Sequence, residues 1–279
     1  MVVAQSLSGP IGVEVTGVDL TRPPTTDEVA TMNRLFVEHS VLVVRDQHFT
    51  AHQMLEAVRL FGDIFEQHNK RFALPDCPQI HYLSNQDHFQ ESGKRYIPGE
   101  GYHTDHSNDP SPPKATVLFA VELPDSGGDT QFVDMRAAYD DLPTATQRRL
   151  EGLQAFHVYQ SRHSERKLMP LSPELKAKIP DAVRHPLVRT HPESGRKALY
   201  LNPIRIESIE GMEEQEALSL LEGLLAHSTQ EKYQYRHKWK PGDLVMWDNR
   251  CLLHKANGDY DHSQRRYLYR VMLKGDRPF

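Results

Sequence analysis

Apolar positions along this chain come in short runs, with the β-branched spacing of strands more often than the three-to-four-residue spacing of helices. Ile11 to Leu20 reads as a strand region and Val41 to Arg45 as a buried strand, since Val41, Leu42, Val43 and Val44 follow one another without a polar break. Two helices announce their starts. Thr25 stands three residues before Glu28 and Thr50 three before Gln53, the spacing of a capping box. The second helix carries Met54, Leu55, Val58 and Phe61 on one face and stops at Gly62.

From about Gln67 to Gly101 the pattern breaks into polar, Gly- and Pro-containing sequence, which predicts one long loop. Strands return at Thr116 to Val121 and Thr130 to Val133, joined through Asp125-Ser126-Gly127-Gly128. Two helices are expected near 134–152, followed by a polar stretch from Ser161 to Lys178. Leu187 to Thr190 and Ala198 to Leu201 form a hairpin through Pro192-Glu193-Ser194-Gly195. Glu213 to His227 reads as an amphipathic helix. Strands at Tyr233 to Trp239, Leu244 to Trp247 and Arg266 to Leu273 complete the chain. The expected class is mostly β with helical insertions around a closed or sandwiched core. No internal repeat or boundary divides residues 1–279, so the expectation is a single domain.

Composition narrows the function. No apolar run approaches the length of a membrane span, and the first residues lack the basic flank and apolar core of a secretory signal. A net charge of −5 argues against general binding to nucleic acid or anionic membranes. Two cysteines, Cys77 and Cys251, exclude a disulfide scaffold or a Cys-rich zinc site. The expected setting is a soluble, cytoplasmic protein. Sixteen histidines are the unusual number.

His103 and Asp105 flank a single residue, so an extended segment sends both side chains to the same face. Such a pair can occupy adjacent positions on one metal. Far downstream, Trp247-Asp248-Asn249-Arg250-Cys251-Leu252-Leu253-His254 leaves a strand through a short turn and ends in a second histidine. Two histidines and one carboxylate can hold non-haem Fe(II) with open positions, and a zinc hydrolase could use the same set. In the last strand Arg266, Leu268, Arg270 and Met272 share one face. The two arginines stand about 13 Å apart at strand rise, too far for one small carboxylate but suited to two anions.

Together these residues resemble the taurine/2,4-dichlorophenoxyacetate dioxygenase (TauD/TfdA) family. The order His103-x-Asp105, 24 residues to Thr130, 123 to His254 and 11 to Arg266 carries the resemblance. So do Thr16 to Pro23, Val43 to Gln47, Ser126 to Thr130, Arg189 to Pro192 and Trp247 to Arg250. The resemblance implies a double-stranded β-helix (jelly-roll) core with Fe(II) on His103, Asp105 and His254. It implies the cosubstrate 2-oxoglutarate on Thr130 and Arg266, with O₂ as oxidant and succinate and CO₂ as co-products. Arg270 would grip an anionic group of the primary substrate, with His68, Tyr102 and Arg205 as further pocket candidates and Gln67 competing with His68. Asp105 favours hydroxylation over halogenation.

The segment around His254 to Tyr260 looks closer to the taurine branch, yet Gly99, Tyr102 and Arg205 depart from it. A larger anion, whether sulfonate, sulfate ester or aryloxyalkanoate, is therefore expected as substrate ahead of taurine itself. A desaturase or isonitrile-forming oxidase, a zinc hydrolase and a cupin-like binding protein remain the alternatives. Residues 85–100 and 160–178 are expected to be lids, and a homodimer or homotetramer is expected from the resemblance.

Overall fold

The computed structural model describes residues 2–87 and 97–279. Strands β1 (Val3–Ser6) and β2 (Val13–Thr16) lead to helix α1 (Thr26–His39), strand β3 (Val41–Val44) and helix α2 (Ala51–Arg59). Both helices begin where their capping boxes predict. Thr25 and Glu28 exchange side-chain-to-backbone hydrogen bonds, as do Thr50 and Gln53.

Then follow β4 (Ala73–Leu74), β5 (Cys77–Ser84), β6 (Ala115–Glu122), β7 (Thr130–Asp134), α3 (Met135–Asp140), α4 (Thr144–Leu150) and β8 (Gln154–His157). After α5 (Pro173–Lys176) come β9 (Val183–Pro186), β10 (Val188–Thr190), β11 (Lys197–Leu199), β12 (Ile206–Ile209) and α6 (Glu214–Ser228). The last strands are β13 (Gln234–His237), β14 (Leu244–Asp248), β15 (Leu252–Ala256) and β16 (Tyr267–Leu273).

One eight-stranded sheet runs β1-β2-β3-β14-β6-β16-β5-β4 and a three-stranded sheet runs β13-β7-β15. The central strands of the first are buried on both faces, unlike its exposed edge strand β1, and they divide their side chains accordingly. On β3, Val41 and Val43 pack inward with Phe132, Val133 and Leu252 of the smaller sheet. Leu42 and Val44 pack outward with Met32 and Phe36 of α1 and Met54 and Val58 of α2. Likewise Leu268 on β16 faces inward while Val271 and Leu273 join the outer cluster. The inner layer is the interior of a double-stranded β-helix, and the two N-terminal helices seal its back.

The expected loop over 67–101 is wrong for its central part, because Cys77–Ser84 is an eight-residue strand pairing with β16. Its inward positions include His81, and Pro78 interrupts it, so it lacks the apolar alternation that marks a strand. Strands β8 and β12 also went unread; they form a small sheet, β12-β8-β9, whose buried residues include His157 and His185. Arg266 precedes the last strand rather than opening it.

Among the enclosed imidazoles, those of His157, His185 and His237 make the fold pH-sensitive. Burial pushes His157 well below the ordinary histidine value, His185 down to about 4, and His237 downward despite Asp243 beside it. A histidine whose folded pKa is depressed contributes stability that is complete above its unfolded pKa and lost as pH falls toward the folded one. The unfolding free energy should therefore fall between about pH 6.5 and 4, by up to about 1.4 kcal/mol per pH unit for each group, and the thermal midpoint with it. Denaturation scans across that window check this, and His185→Gln should flatten the decline; a constant midpoint would contradict it.

Candidate active site

His103 and His254 come together through the backbone. Each donates its amide N–H to the other's carbonyl oxygen, at 3.0 and 2.9 Å, an isolated antiparallel bridge between the 99–105 segment and β15. The ring centroids lie 4.2 Å apart. Asp105 Oδ1 stands 3.8 Å from His103 Nε2, and Oδ2 stands 3.7 Å from His254 Nε2. One ligand atom from each of the three residues falls within 4.8 Å of the others, a separation that one metal ion can span.

Tautomer and charge agree with a metal. His103 Nδ1 is 2.9 Å from the Gly101 carbonyl, which can only accept, so Nδ1 carries the proton and Nε2 offers its lone pair. Burial, the neighbouring His254 and Arg166 hold His103 well below the usual histidine value, and burial takes His254 to about 4. Burial opposes ionisation of Asp105, but His254, His103 and Arg270 outweigh it and hold the carboxyl below the usual range. Two neutral imidazoles and one carboxylate are the donor set that suits Fe(II).

The three residues open onto a cavity of about 240 Å³. At one end stands Arg266, 5% exposed. Its Nε donates to the Gly128 carbonyl at 2.8 Å, while Nη2 is buried with no hydrogen-bond partner among the described residues. Burial lowers its pKa to about 10 against the pull of Tyr260 and Asp129. A guanidinium left this way is waiting for an anion. Thr130 lines the same cavity and accepts from Trp239 Nε1 at 3.0 Å, which leaves its own hydroxyl proton to donate elsewhere.

The Gly127-Gly128 turn makes this approach possible. Both residues sit at positive φ, a Cβ on Gly127 would lie 2.3 Å from the Asp259 carbonyl, and one on Gly128 would press on the Arg266 side chain.

Arg270 enters the cavity from β16 and donates to Gln67 Oε1. Gln67 is buried and His68 exposed, although both line the cavity, so the inner contact falls to Gln67. Arg205 also lines it, donating to the Tyr159 carbonyl at 2.8 Å with its guanidinium 5.4 Å from the Tyr159 ring centroid. Tyr102 does not line it. Its hydroxyl donates to Gln234 at 3.1 Å and Lys255 lies over its ring. Arg166, Phe65, Phe72 and Met169 line the cavity without having been singled out, because nothing in their spacing marks a site. The first expected lid, 85–100, falls mainly on residues 88–96, outside the described residues. The second, 160–178, contributes Arg166, Leu168, Met169, Leu171, Leu175 and Lys178 to the wall.

No helix among the described residues is long and apolar enough to cross a membrane. The model of the taurine catabolism dioxygenase TauD, TfdA family matches residues 4–272. The chain is 37% identical to the alpha-ketoglutarate-dependent 2,4-dichlorophenoxyacetate dioxygenase of Cupriavidus pinatubonensis, over 99% of this chain and 98% of that one. It is 34% identical to the (S)-phenoxypropionate/alpha-ketoglutarate-dioxygenase of Sphingobium herbicidovorans, covering 97% and 94%. A crystal structure of a taurine dioxygenase from Burkholderia xenovorans superposes with a TM-score of 0.83 at 32% identity, covering 99% and 92%. The expected leaning toward the taurine branch is thus not reflected in identity, which is higher with these aryloxyalkanoate enzymes. The chain belongs to the TauD/TfdA family and is an oxidoreductase, a dioxygenase dependent on Fe(II), 2-oxoglutarate and O₂.

Proposed function

We propose that this dioxygenase hydroxylates an organic anion with an apolar body, of the aryloxyalkanoate, sulfonate or sulfate ester class, and releases succinate and CO₂. The observation that carries the reading is one cavity lined by the metal-ligand cluster and by two arginines, Arg270 on the last strand and Arg266 just before it. His103, Asp105 and His254 would hold Fe(II), which when bound supplies O₂ activation coupled to decarboxylation of 2-oxoglutarate. Arg266, with its orphaned Nη2, and the free hydroxyl proton of Thr130 would bind the distal carboxylate of that cosubstrate.

Arg270, steadied by Gln67, would take the substrate's anionic group, with Arg205 adding positive field. Phe65, Phe72, Leu168, Met169 and Leu171 provide an apolar wall for a ring or alkyl chain. That wall favours an aryloxyalkanoate or alkyl sulfate over taurine, whose ammonium would sit among guanidinium groups. Segment 160–178 would close over the substrate and keep water from the reacting carbon.

An aerobic screen of such anions with Fe(II) and 2-oxoglutarate, read by succinate release, tests the reading. Stimulation by aryloxyalkanoates or alkyl sulfates above the uncoupled rate is expected; no stimulation by any anion would contradict it. His103→Ala should abolish stoichiometric metal binding in equilibrium dialysis, and retained binding would remove the ligand assignment. Arg266→Ala should raise the 2-oxoglutarate requirement about ten- to a hundredfold through loss of a charge-assisted pair. Arg270→Ala should instead raise the substrate KM and spare uncoupled 2-oxoglutarate turnover. Steady-state kinetics on both variants separates the roles, and identical behaviour would refute the division.

A further inference from the structure

Of the run Trp247-Asp248-Asn249-Arg250, only one half is explained by anchoring. Asp248 accepts from Arg250 at 2.8 and 2.6 Å and lies 3.0 Å from His191 Nε2, a closed and buried ionic knot that pins the turn before β15. The other half leads to the metal site. Trp247 Nε1 donates to Asn249 Oδ1 at 3.1 Å, Asn249 Nδ2 donates to Thr116 Oγ1 at 2.9 Å, and Thr116 Oγ1 donates to Asp105 Oδ2 at 2.6 Å.

This chain has only one possible direction. An indole N–H can donate but not accept, so the Asn249 amide must turn its oxygen to Trp247 and its nitrogen to Thr116. Thr116 therefore accepts from Asn249, and its single proton goes to Asp105, a carboxylate that can only accept. The last bond is short, as expected when a hydroxyl meets a carboxylate. Water has little access, since Trp247, Asn249 and Thr116 are at most 2% exposed. Asn249 also takes the Thr104 hydroxyl on its backbone carbonyl at 2.8 Å, so the same residue ties down the His103-Thr104-Asp105 segment.

A carboxylate on an otherwise free side chain rotates about its Cβ–Cγ bond. We propose that Thr116 and Asn249 are positioning residues of the metal centre, a one-way relay from the Trp247 indole that fixes the plane of the Asp105 carboxylate before metal arrives. The relay rests on the reading of His103, Asp105 and His254 as the ligand set. It shifts part of the metal affinity from the three ligands to two residues that never touch the ion.

Mn(II) titration of the full-length protein by calorimetry tests it, alongside Thr116→Val, Thr116→Ser and the thermal midpoints of the metal-free proteins. Thr116→Val keeps the side-chain volume and removes the donor, and should weaken Mn(II) binding about ten- to a hundredfold. Thr116→Ser restores the donor and should bind within about threefold of wild type. The visible ligand-field bands of bound Co(II) should shift in Thr116→Val and return in Thr116→Ser, which loss of packing alone would not produce. If Thr116→Val does not fold, Thr116→Ala is compared with Thr116→Ser in the same way. Wild-type Mn(II) affinity and Co(II) bands in the variant lacking the hydroxyl would overturn the relay alone. Absence of Mn(II) binding by the wild-type protein would overturn the ligand assignment and the relay with it.

Discussion

Two backbone hydrogen bonds between His103 and His254 are the constraint on which the site depends. They join segments remote in the chain, and they do so by main-chain geometry, which leaves both imidazoles free to face the same point. One histidine belongs to the loop that enters β6 and the other to β15 of the smaller sheet. The bridge therefore closes the β-helix at the mouth where the metal would lie. Asp105, two residues along from His103 where the chain enters a turn, comes to the same point. Had the bridge formed one residue out of register, one imidazole would turn away from the other.

Beside that point the protein withholds compensation from one charge. Arg266 is buried with one nitrogen unpaired among the described residues, and burial depresses its pKa. Such an arrangement costs folding free energy that an all-apolar interior would keep. It becomes favourable when a carboxylate enters, because the guanidinium is already desolvated. Gly127 and Gly128 allow the close backbone approach, and the Gly128 carbonyl orients the guanidinium. Asp105 is treated the other way, its charge stabilised in advance by neighbouring imidazoles, Arg270 and the Thr116 hydroxyl.

Legibility in the sequence followed physical cause. Capping boxes at Thr25 and Thr50 are local, and they placed two helices to the residue. Val41 to Val44 could be read as a strand because it is apolar on both faces. Strand β5 could not, since its inward residue His81 serves the cavity beside Arg270 and so breaks the apolar pattern. That His103 and Asp105 lie together was readable from the H-x-D spacing, whereas the single arginine face was not, since Arg266 falls just before the last strand. Gln67 against His68 was not, because it turns on the exact twist of a loop. Tyr102 falls outside the cavity for a related reason: the chain bends at Gly101 and Tyr102, and the Tyr102 hydroxyl bonds Gln234 instead. Thr116 carries no motif of its own, and although Asn249 lies in the Trp247–Arg250 run, only the fold lines the two up behind Asp105.

Anomalous diffraction from crystals grown with Mn(II) and 2-oxoglutarate would test the central claim most directly. The account predicts one manganese peak at coordination distance from the side chains of residues 103, 105 and 254, with the distal carboxylate of the keto acid on Arg266. A peak in the other buried cluster, His191, Asp248 and Cys251, or a keto acid seated away from Arg266, would contradict it.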